Sequence, residues 1–239
     1  GALVLAFGLL AGCTSGSDTK ESLTIVTTFF PLYDLARTIA GDDVEVVNLM
    51  ESGVSAHDYE PSVQDRIKIE SADVFVYNGA GMEGWVDKTL ESMNVEKLKV
   101  VDTSKNVSLL ESDHNHDHEE EGHDHEEESD DHEHEEGHDH DHGVNDPHIW
   151  LDPVNAKAQA QAIFDALVAV DPDHKSEYQS RYDALAVELD QLDTLMKTGM
   201  ETAVHKHVVM NHSAFSYMAH RYGFDIESIS GIIPESEPS

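Results

Sequence analysis

Residues 23–50 read LTIVTTFFPLYDLARTIAGDDVEVVNLM, and this stretch decides the fold. Residues 23–28 form an apolar, β-branched run that predicts a buried strand, and residues 44–50 predict a second strand. Between them, residues 30–40 predict a helix that ends at Gly41, because glycine is typical of the position that follows a helix. We therefore expect a strand, a helix and a second strand in this order.

The same alternation continues along the chain. The segments predicted as helices are 61–71 and 82–92, and those predicted as strands are 73–77 and 97–102. Strands that alternate with helices of about ten residues indicate an α/β fold, in which a parallel sheet has helices on both faces. Ligands of such sheets bind beyond the carboxyl ends of the strands, and the loop that carries His57 leaves from such an end.

Two further helix starts follow in the second half of the chain. Asp152-Pro153 predicts a helix to about residue 170, with Asp as N-cap and Pro at the first helical position. Asp171-Pro172 repeats this signal and predicts a longer helix to about residue 200, which would span roughly 42 Å and could bridge two lobes. Its apolar residues recur at steps of four and three and predict one continuous stripe: Tyr178, Tyr182, Leu185, Leu189, Leu192 and Met196.

The strand and helix pattern restarts after this long helix. Residues 206–211 predict a strand, residues 213–222 a helix that stops at Gly223, and residues 224–231 the start of a further strand. A sheet of two strands has open edges and little core. We therefore expect this second unit to be incomplete, and the chain to be a fragment truncated at both ends.

Residues 111–142 carry ten histidines and 17 carboxylates but no lysine or arginine. This composition cannot bury a core, so it predicts a disordered loop, placed at 111–145. Imidazole and carboxylate together suit borderline divalent cations, above all zinc. The alternative is an acidic spacer, although a spacer has no need of imidazoles. The histidines of this auxiliary, weak metal-binding loop are His114, His116, His118, His123, His125, His132, His134, His138, His140 and His142.

The chain is acidic throughout, with a formal net charge of −35. Of its 49 acidic residues, 17 lie in the loop, and the other 32 still exceed the 14 lysines and arginines. A surface of this charge repels phosphate backbones, which argues against nucleic acid as a partner.

The first residues predict export from the cytoplasm. Residues 1–12, GALVLAFGLLAG, are apolar but too short to span a bilayer, and resemble the end of a lipoprotein signal peptide. Cys13 follows Leu-Ala-Gly, as in a bacterial lipobox, whose cysteine is lipidated; a free thiol is the alternative. Residues 13–22 predict a flexible tether. Because Cys13 is the single cysteine, a zinc site made of several thiolates is excluded.

Three histidines stand apart from the acidic loop, and each lies beside a predicted helix start. His57 lies in GVSAHDYEPS, His148 in NDPHIWLDP and His212 in VVMNHSAFSYMAHRYGF. Taken singly, each is better explained as an ordinary hydrogen-bonding residue. Taken together, they would fill three of the four tetrahedral positions that zinc prefers. Asp152 is a candidate fourth ligand, but its capping role explains it fully.

Four motifs carry a resemblance to a known family: HDYEP at 57–61, DPHIWLDP at 146–153, NHSAF at 211–215 and PESEPS at 234–239. With the lipobox and the acidic loop, they make the chain resemble the metal-binding receptors of bacterial ABC transporters, specifically the zinc-binding ZnuA/AdcA-like group (cluster 9, A-I). The resemblance runs from about residue 23 to residue 239.

The resemblance implies two α/β lobes, each with a parallel sheet flanked by helices, joined by one long rigid helix. The first lobe would span 23–171, the linking helix 172–201 and the start of the second lobe 202–239. His57 and His148 would be metal ligands from the first lobe and His212 from the second. The family's fourth ligand is a carboxylate, which we expect to lie beyond residue 239.

The resemblance also implies a function outside catalysis. The chain would be a monomeric receptor, anchored through lipid on Cys13 at the outer face of the bacterial cell membrane. It would capture Zn²⁺ and deliver it to an ABC permease. Three imidazoles favour zinc over manganese, but copper(II) and nickel(II) would also bind. Because neutral imidazole is the ligand form, affinity is expected to fall below a pH of about 6.5.

Other functions are compatible with part of these signals. A receptor for manganese or another divalent metal, or a surface adhesin, could use the same residues. A secreted zinc hydrolase would need a positioned general base beside the metal. The sequence has neither an H-E-x-x-H nor a G-x-S-x-G motif, which argues against that class.

Overall fold

The computed structural model describes residues 23–111 and 145–230. Within these ranges, the larger sheet has four strands in the order β2-β1-β3-β4, and all neighbouring strands are parallel. Its strands are β1 (Thr24–Thr27), β2 (Glu45–Asn48), β3 (Val74–Tyr77) and β4 (Lys99–Asp102). The helices that follow or cover it are α1 (Phe30–Ala40), α2 (Val63–Ser71), α3 (Val86–Glu91), α4 (Pro153–Val170) and α5 (Lys175–Thr202). The predicted α/β class is confirmed.

Helices cover both faces of the larger sheet because its strand residues alternate between two apolar clusters. Ile25, Val74 and Val76 pack on one face with residues of α1, α4 and α5. Val26 and Phe75 pack on the opposite face with residues of α2 and α3. Burial on both faces explains why these strands are continuously apolar in sequence.

Several of the helices start later than the sequence pattern predicted. A capping box between Ser62 and Asp65 starts α2, so the helix begins at Val63 and Pro61 lies before it. Helix α3 begins at Val86, four residues after the predicted start, and Trp85 is its N-cap residue. Val63 and Ile67 have the spacing of one helix face, but both are exposed, and α2 buries Ile69 instead.

Helix α5 has 28 residues, as the long apolar stripe predicted, but only its first half is packed. Tyr178 is buried, and Tyr182 and Leu185 pack against the main core. Leu192 lies further along and is exposed, so the stripe is not continuously covered. The helix begins at Lys175, after a short 3₁₀ turn. The Asp171 carboxylate accepts a hydrogen bond from the Tyr178 hydroxyl and does not cap the helix.

A second, smaller sheet follows α5. Strands β5 (His207–His212) and β6 (Asp225–Ser230) are parallel, and α6 (Ser216–Tyr222) connects them. Gly223 ends α6 in the left-handed conformation, as predicted. Val209 and Ile229 are 60% and 72% exposed, so this sheet has little core of its own among the described residues.

Several predicted features lie outside the described residues. They are the signal peptide end, Cys13 and the tether in residues 1–22, the ten loop histidines in residues 112–144, and residues 231–239. The ends of the acidic insertion are described, and Glu111 and Asn145 form an isolated antiparallel bridge. None of the described helices is both long enough and apolar enough to cross a membrane.

Candidate metal centre

The three histidines predicted as metal ligands come from three separate parts of the fold. His57 lies in the loop that follows β2, at the carboxyl edge of the larger sheet. His148 precedes the short 3₁₀ turn Ile149–Leu151, which leads into α4. His212 is the last residue of β5, in the smaller sheet. The fold therefore brings histidines from three separate segments of the chain close together.

The imidazoles of these residues converge through their Nε2 atoms. Nε2 of His148 lies 3.2 Å from Nε2 of His57 and 2.9 Å from Nε2 of His212. The ligand atoms of all three residues lie within 4.8 Å of one another. Two nitrogens on a tetrahedral zinc ion are about 3.3 Å apart, given zinc–nitrogen bonds of about 2.0 Å. The spacing of the rings therefore fits one shared cation.

His148 is the buried member of this cluster, and its ring is held by a carboxylate. Its Nδ1 lies 2.7 Å from Oδ1 of Asp146, which also accepts a bond from the backbone N–H of His148. With the proton on Nδ1, Nε2 is free to bind metal, and the carboxylate fixes the orientation of the ring. Burial raises the pKa of Asp146, but the bonds from His148 outweigh it and keep that pKa below its usual value.

His57 is half-buried and lies close to both of the other rings. Burial, followed by the neighbouring His148 and His212, lowers the pKa of His57 to about 4. Its imidazole is therefore neutral at physiological pH, which is the form that binds metal. Burial and, after it, the two neighbouring rings thus place the pKa of His57 below the value of 6.5 that an unperturbed histidine has.

A buried network of polar side chains contacts the segment that carries His148. This network was not predicted from the sequence. The Asn78 side chain donates to the backbone oxygen of Pro147, at 2.8 Å. Gln159 of α4 donates to Asn78 and to Thr103. Only the strand-end positions of Asn78 and Thr103 hint at such a role. The network fixes the residue directly before His148.

Glu83 holds the loop that carries Asn78. Its carboxylate accepts bonds from the Thr28 hydroxyl at 2.6 Å and from the backbone N–H groups of Asn78 and Gly79 at 2.9 and 3.1 Å. Burial outweighs these bonds and raises the pKa of Glu83 to about 7. This carboxylate lies at the carboxyl edge of the larger sheet. It supports the His148 segment indirectly, by holding Asn78 in place.

Two other residues near the centre have structural roles. The Asp152 carboxylate caps α4 by accepting from the N–H groups of Val154 and Asn155, as predicted, so it is not available as a fourth ligand. Trp150 packs edge-on against Phe29, with ring centroids 4.8 Å apart. This contact anchors the segment that follows His148.

The other histidines among the described residues lie outside this cluster. His207 is exposed and contacts Glu227 on the neighbouring strand at 3.1 Å. Among the described residues, the group formed by His57, His148 and His212 is the one with metal-binding spacing. That these three residues hold a metal ion remains a prediction.

Comparison with known proteins decides the family. Residues 25–239 match the model of the ZnuA family, described as the periplasmic component A of a zinc-uptake complex. The chain belongs to the ZnuA family. The zinc-binding lipoprotein AdcA of Streptococcus pneumoniae is 37% identical over 236 residues, which are 96% of this chain and 43% of AdcA. The high-affinity zinc uptake system protein ZnuA of Bacillus subtilis is 38% identical over 243 residues, covering 99% of this chain and 72% of that protein.

Solved structures of ZnuA-family proteins share this fold. The crystal structure of Zn(II)-bound AdcA from Streptococcus pneumoniae superimposes with a TM-score of 0.73 at 34% sequence identity. The match covers 91% of this chain and 41% of AdcA. The chain thus spans less than half of the length of AdcA.

Proposed function

We propose that this ZnuA-family chain binds one zinc ion through Nε2 of His57, His148 and His212. The observation that carries the proposal is the convergence of these three atoms from three separate segments, with Nε2 of His148 lying 2.9 and 3.2 Å from the others. Three imidazoles leave one tetrahedral position, which a water molecule or a further carboxylate would complete.

The chemistry of the cluster supports zinc over manganese or calcium. Neutral imidazole is a borderline ligand that suits zinc, whereas manganese and calcium prefer oxygen-rich sites. The Asp146–His148 pair adds a carboxylate–histidine partnership that is common around bound zinc. We also expect copper(II) and nickel(II) to compete, because imidazole binds both.

The biological role that we propose is capture of zinc outside the cytoplasm and its delivery to an ABC permease. The family description and the names of AdcA and ZnuA, which refer to zinc binding and zinc uptake, support this role. In this proposal the chain acts as a monomeric receptor and not as an enzyme.

We further propose how the chain is organised at the cell surface. Lipid on Cys13 would hold the chain at the outer face of the cell membrane, and residues 13–22 would act as a tether. The lipoprotein name of AdcA supports this arrangement. Residues 23–171 and 202–239 would belong to two lobes, with residues 172–201 as the linking helix. Replacing Cys13 by alanine should release the protein into the medium.

The zinc proposal is tested by competition titration against a chromophoric chelator, using a chain that lacks residues 112–144. The variants His57→Gln, His148→Gln and His212→Gln should each lose the tight site. His174→Gln is the matched control, because His174 also pairs with a carboxylate, that of Asp171 at 2.6 Å, but lies on the surface. Its affinity for zinc should equal that of the parent.

Two results would contradict the proposal. One is tight zinc binding that survives His148→Gln, because Nε2 of His148 lies within 3.2 Å of Nε2 of both other histidines. The other is tighter binding of manganese than of zinc by the parent chain. In cells limited for zinc, a strain carrying His148→Gln should grow like a deletion strain, while His174→Gln should restore growth.

A further inference from the structure

Helix α6 contacts the segment that carries His148 on both sides of that residue. The Tyr217 hydroxyl donates to the backbone oxygen of Asp146, at 2.7 Å. One turn later, Nε of Arg221 forms an ion pair with Oδ2 of Asp152. Asp146 lies two residues before His148 and Asp152 four residues after it, so the ligand is held between two anchored points.

The Tyr217 contact and the Asp152 carboxylate are shielded from water, whereas the Arg221 side chain is 32% exposed. Tyr217 is 4% exposed and Asp146 and Asp152 are fully buried. The Tyr217 hydroxyl also accepts from the backbone N–H of Leu110, at 3.2 Å. Hydrogen bonds and ion pairs at buried positions are screened less by solvent than surface pairs, so they fix geometry more firmly.

Arg221 engages a carboxylate whose other oxygen is already used. Oδ1 of Asp152 caps α4 through Val154 at 3.0 Å and Asn155 at 2.9 Å, and Oδ2 faces Arg221. Nη2 of Arg221 lies 3.5 Å from the side-chain oxygen of Asn155. The planar guanidinium thus spans two residues of the first turn of α4, which a lysine could not reproduce.

The same helix is tied closely to the third ligand. Ser216, the first residue of α6, lies four residues after His212, and the backbone N–H of Ala214 donates to the oxygen of His212 at 2.9 Å. Movement of α6 relative to the His148 segment would therefore change the separation of His148 and His212. Tyr217 and Arg221 lie on one face of α6 because they are four residues apart.

We propose that Tyr217 and Arg221 are positioning residues, which hold His212 and His148 at metal-binding distance by fastening α6 to both flanks of His148. This inference rests on the proposed zinc-binding function. Neither side chain contacts the ion; both act through the segments that carry the ligands. Loss of either contact lets the ligands separate, which speeds zinc release and distorts the coordination geometry.

The test measures zinc dissociation into excess chelator, with the full chain. Removing one hydroxyl bond in Tyr217→Phe should raise the dissociation rate about 3- to 10-fold. Arg221→Gln should weaken zinc binding about 10- to 100-fold, in the range typical of supporting residues around metal ligands. Arg221→Lys should fall between Arg221→Gln and the parent. The visible absorption of the cobalt-loaded chain should change in Tyr217→Phe, because it reports ligand geometry.

Matched controls separate positioning from stability. Tyr178 is also buried and donates its hydroxyl to Asp171 at 2.8 Å, and Arg181 donates to the backbone oxygen of Ala40 at 2.8 Å. Neither contact involves a ligand segment. Tyr178→Phe and Arg181→Gln should lower the melting temperature of the metal-free chain while leaving zinc dissociation and the cobalt spectrum unchanged.

The inference is overturned if Tyr217→Phe has the dissociation rate and cobalt spectrum of the parent, or if Tyr178→Phe accelerates release equally. If Arg221→Gln fails to fold, Tyr217→Phe and Arg221→Lys still decide the outcome. Failure of the proposed function looks different, because the parent chain itself would then show no tight zinc binding that depends on His148.

Discussion

Nδ1 of His148 lies 2.7 Å from Oδ1 of Asp146, and both side chains are almost fully buried. The carboxylate therefore selects the tautomer of His148 and fixes the direction of its Nε2. We predict that Asp146→Asn weakens zinc binding about 10- to 100-fold, the usual loss when a supporting carboxylate is removed. Competition titration at pH 7.5 measures this loss.

The Asp171–His174 pair provides the control for this prediction. It has the same pairing of atoms at 2.6 Å, but His174 is exposed. Asp171→Asn should leave zinc affinity unchanged. Equal affinities for Asp146→Asn and the parent would show that the carboxylate does not direct the ligand.

The pKa of His57 predicts how the stability of the metal-free chain depends on pH. Burial and the rings of His148 and His212 lower this pKa from 6.5 to about 4. Between these values the unfolded chain binds more protons than the folded chain, so the stabilising contribution is complete above pH 6.5 and is lost as pH falls towards 4. His57→Gln should lack this loss, which urea unfolding at pH 6.5 and pH 4.5 will measure.

The variant must be compared with the parent because Glu83 changes the stability of the folded chain with pH in the opposite direction to His57. Its pKa rises from 4.5 to about 7 in the folded chain, so its contribution is present below pH 4.5 and is lost as pH rises through 7. Subtracting the two unfolding curves cancels Glu83 and the acidic loop. A difference that does not change with pH would contradict the assignment to His57.

A third prediction concerns the loop that carries Asn78. Gly79 has a φ of 77°, and a Cβ placed there would lie 2.1 Å from Oδ1 of Asp102. That carboxylate is itself held by Ser104, so it cannot easily move away. Gly79→Ala should therefore destabilise the chain by about 2–4 kcal/mol, from backbone strain and overpacking together.

Gly53→Ala separates these two costs. Gly53 has a φ of 88°, but no atom lies within 4 Å of a Cβ built there. Backbone strain alone should cost about 1 kcal/mol. The free energy of unfolding from urea titration gives both values, and a similar loss in the two variants would mean that the clash is relieved.

The fourth prediction concerns the acidic loop. Because Glu111 and Asn145 form a bridge, residues 112–144 can be replaced by a short glycine linker without separating the strands of the larger sheet. The tight zinc site should persist, and several weaker binding events should disappear from the calorimetric titration. Loss of the tight site on deletion would show that loop histidines, rather than His57, His148 and His212, bind the ion.

Local sequence signals predicted much of the fold. Gly41, Asp152 and Gly223 mark helix ends because each stabilises a particular backbone conformation at its own position. Strands β1 and β3 are recognisable because both of their faces are buried. Signals of this kind depend on neighbours in sequence, so they can be read without knowing the tertiary structure.

The supporting contacts of the site could not be read in this way. Asn78 meets Pro147 across 69 positions, and Arg221 meets Asp152 across the same separation. No local pattern distinguishes these residues from other polar side chains. The buried face of α2 could not be predicted for a related reason. Val63 and Ile67 have helical spacing, but the tertiary structure buries Ile69 instead.

The bridge between Glu111 and Asn145 has a consequence for how this protein can change over evolutionary time. The two ends of the insertion already meet, and Asn145 directly precedes the Asp146–His148 pair. In general, each doubling of the length of a loop costs only about 0.6 kcal/mol in closure entropy. Relatives could therefore gain or lose histidine repeats at this position with little penalty, while the geometry a few residues away stays the same.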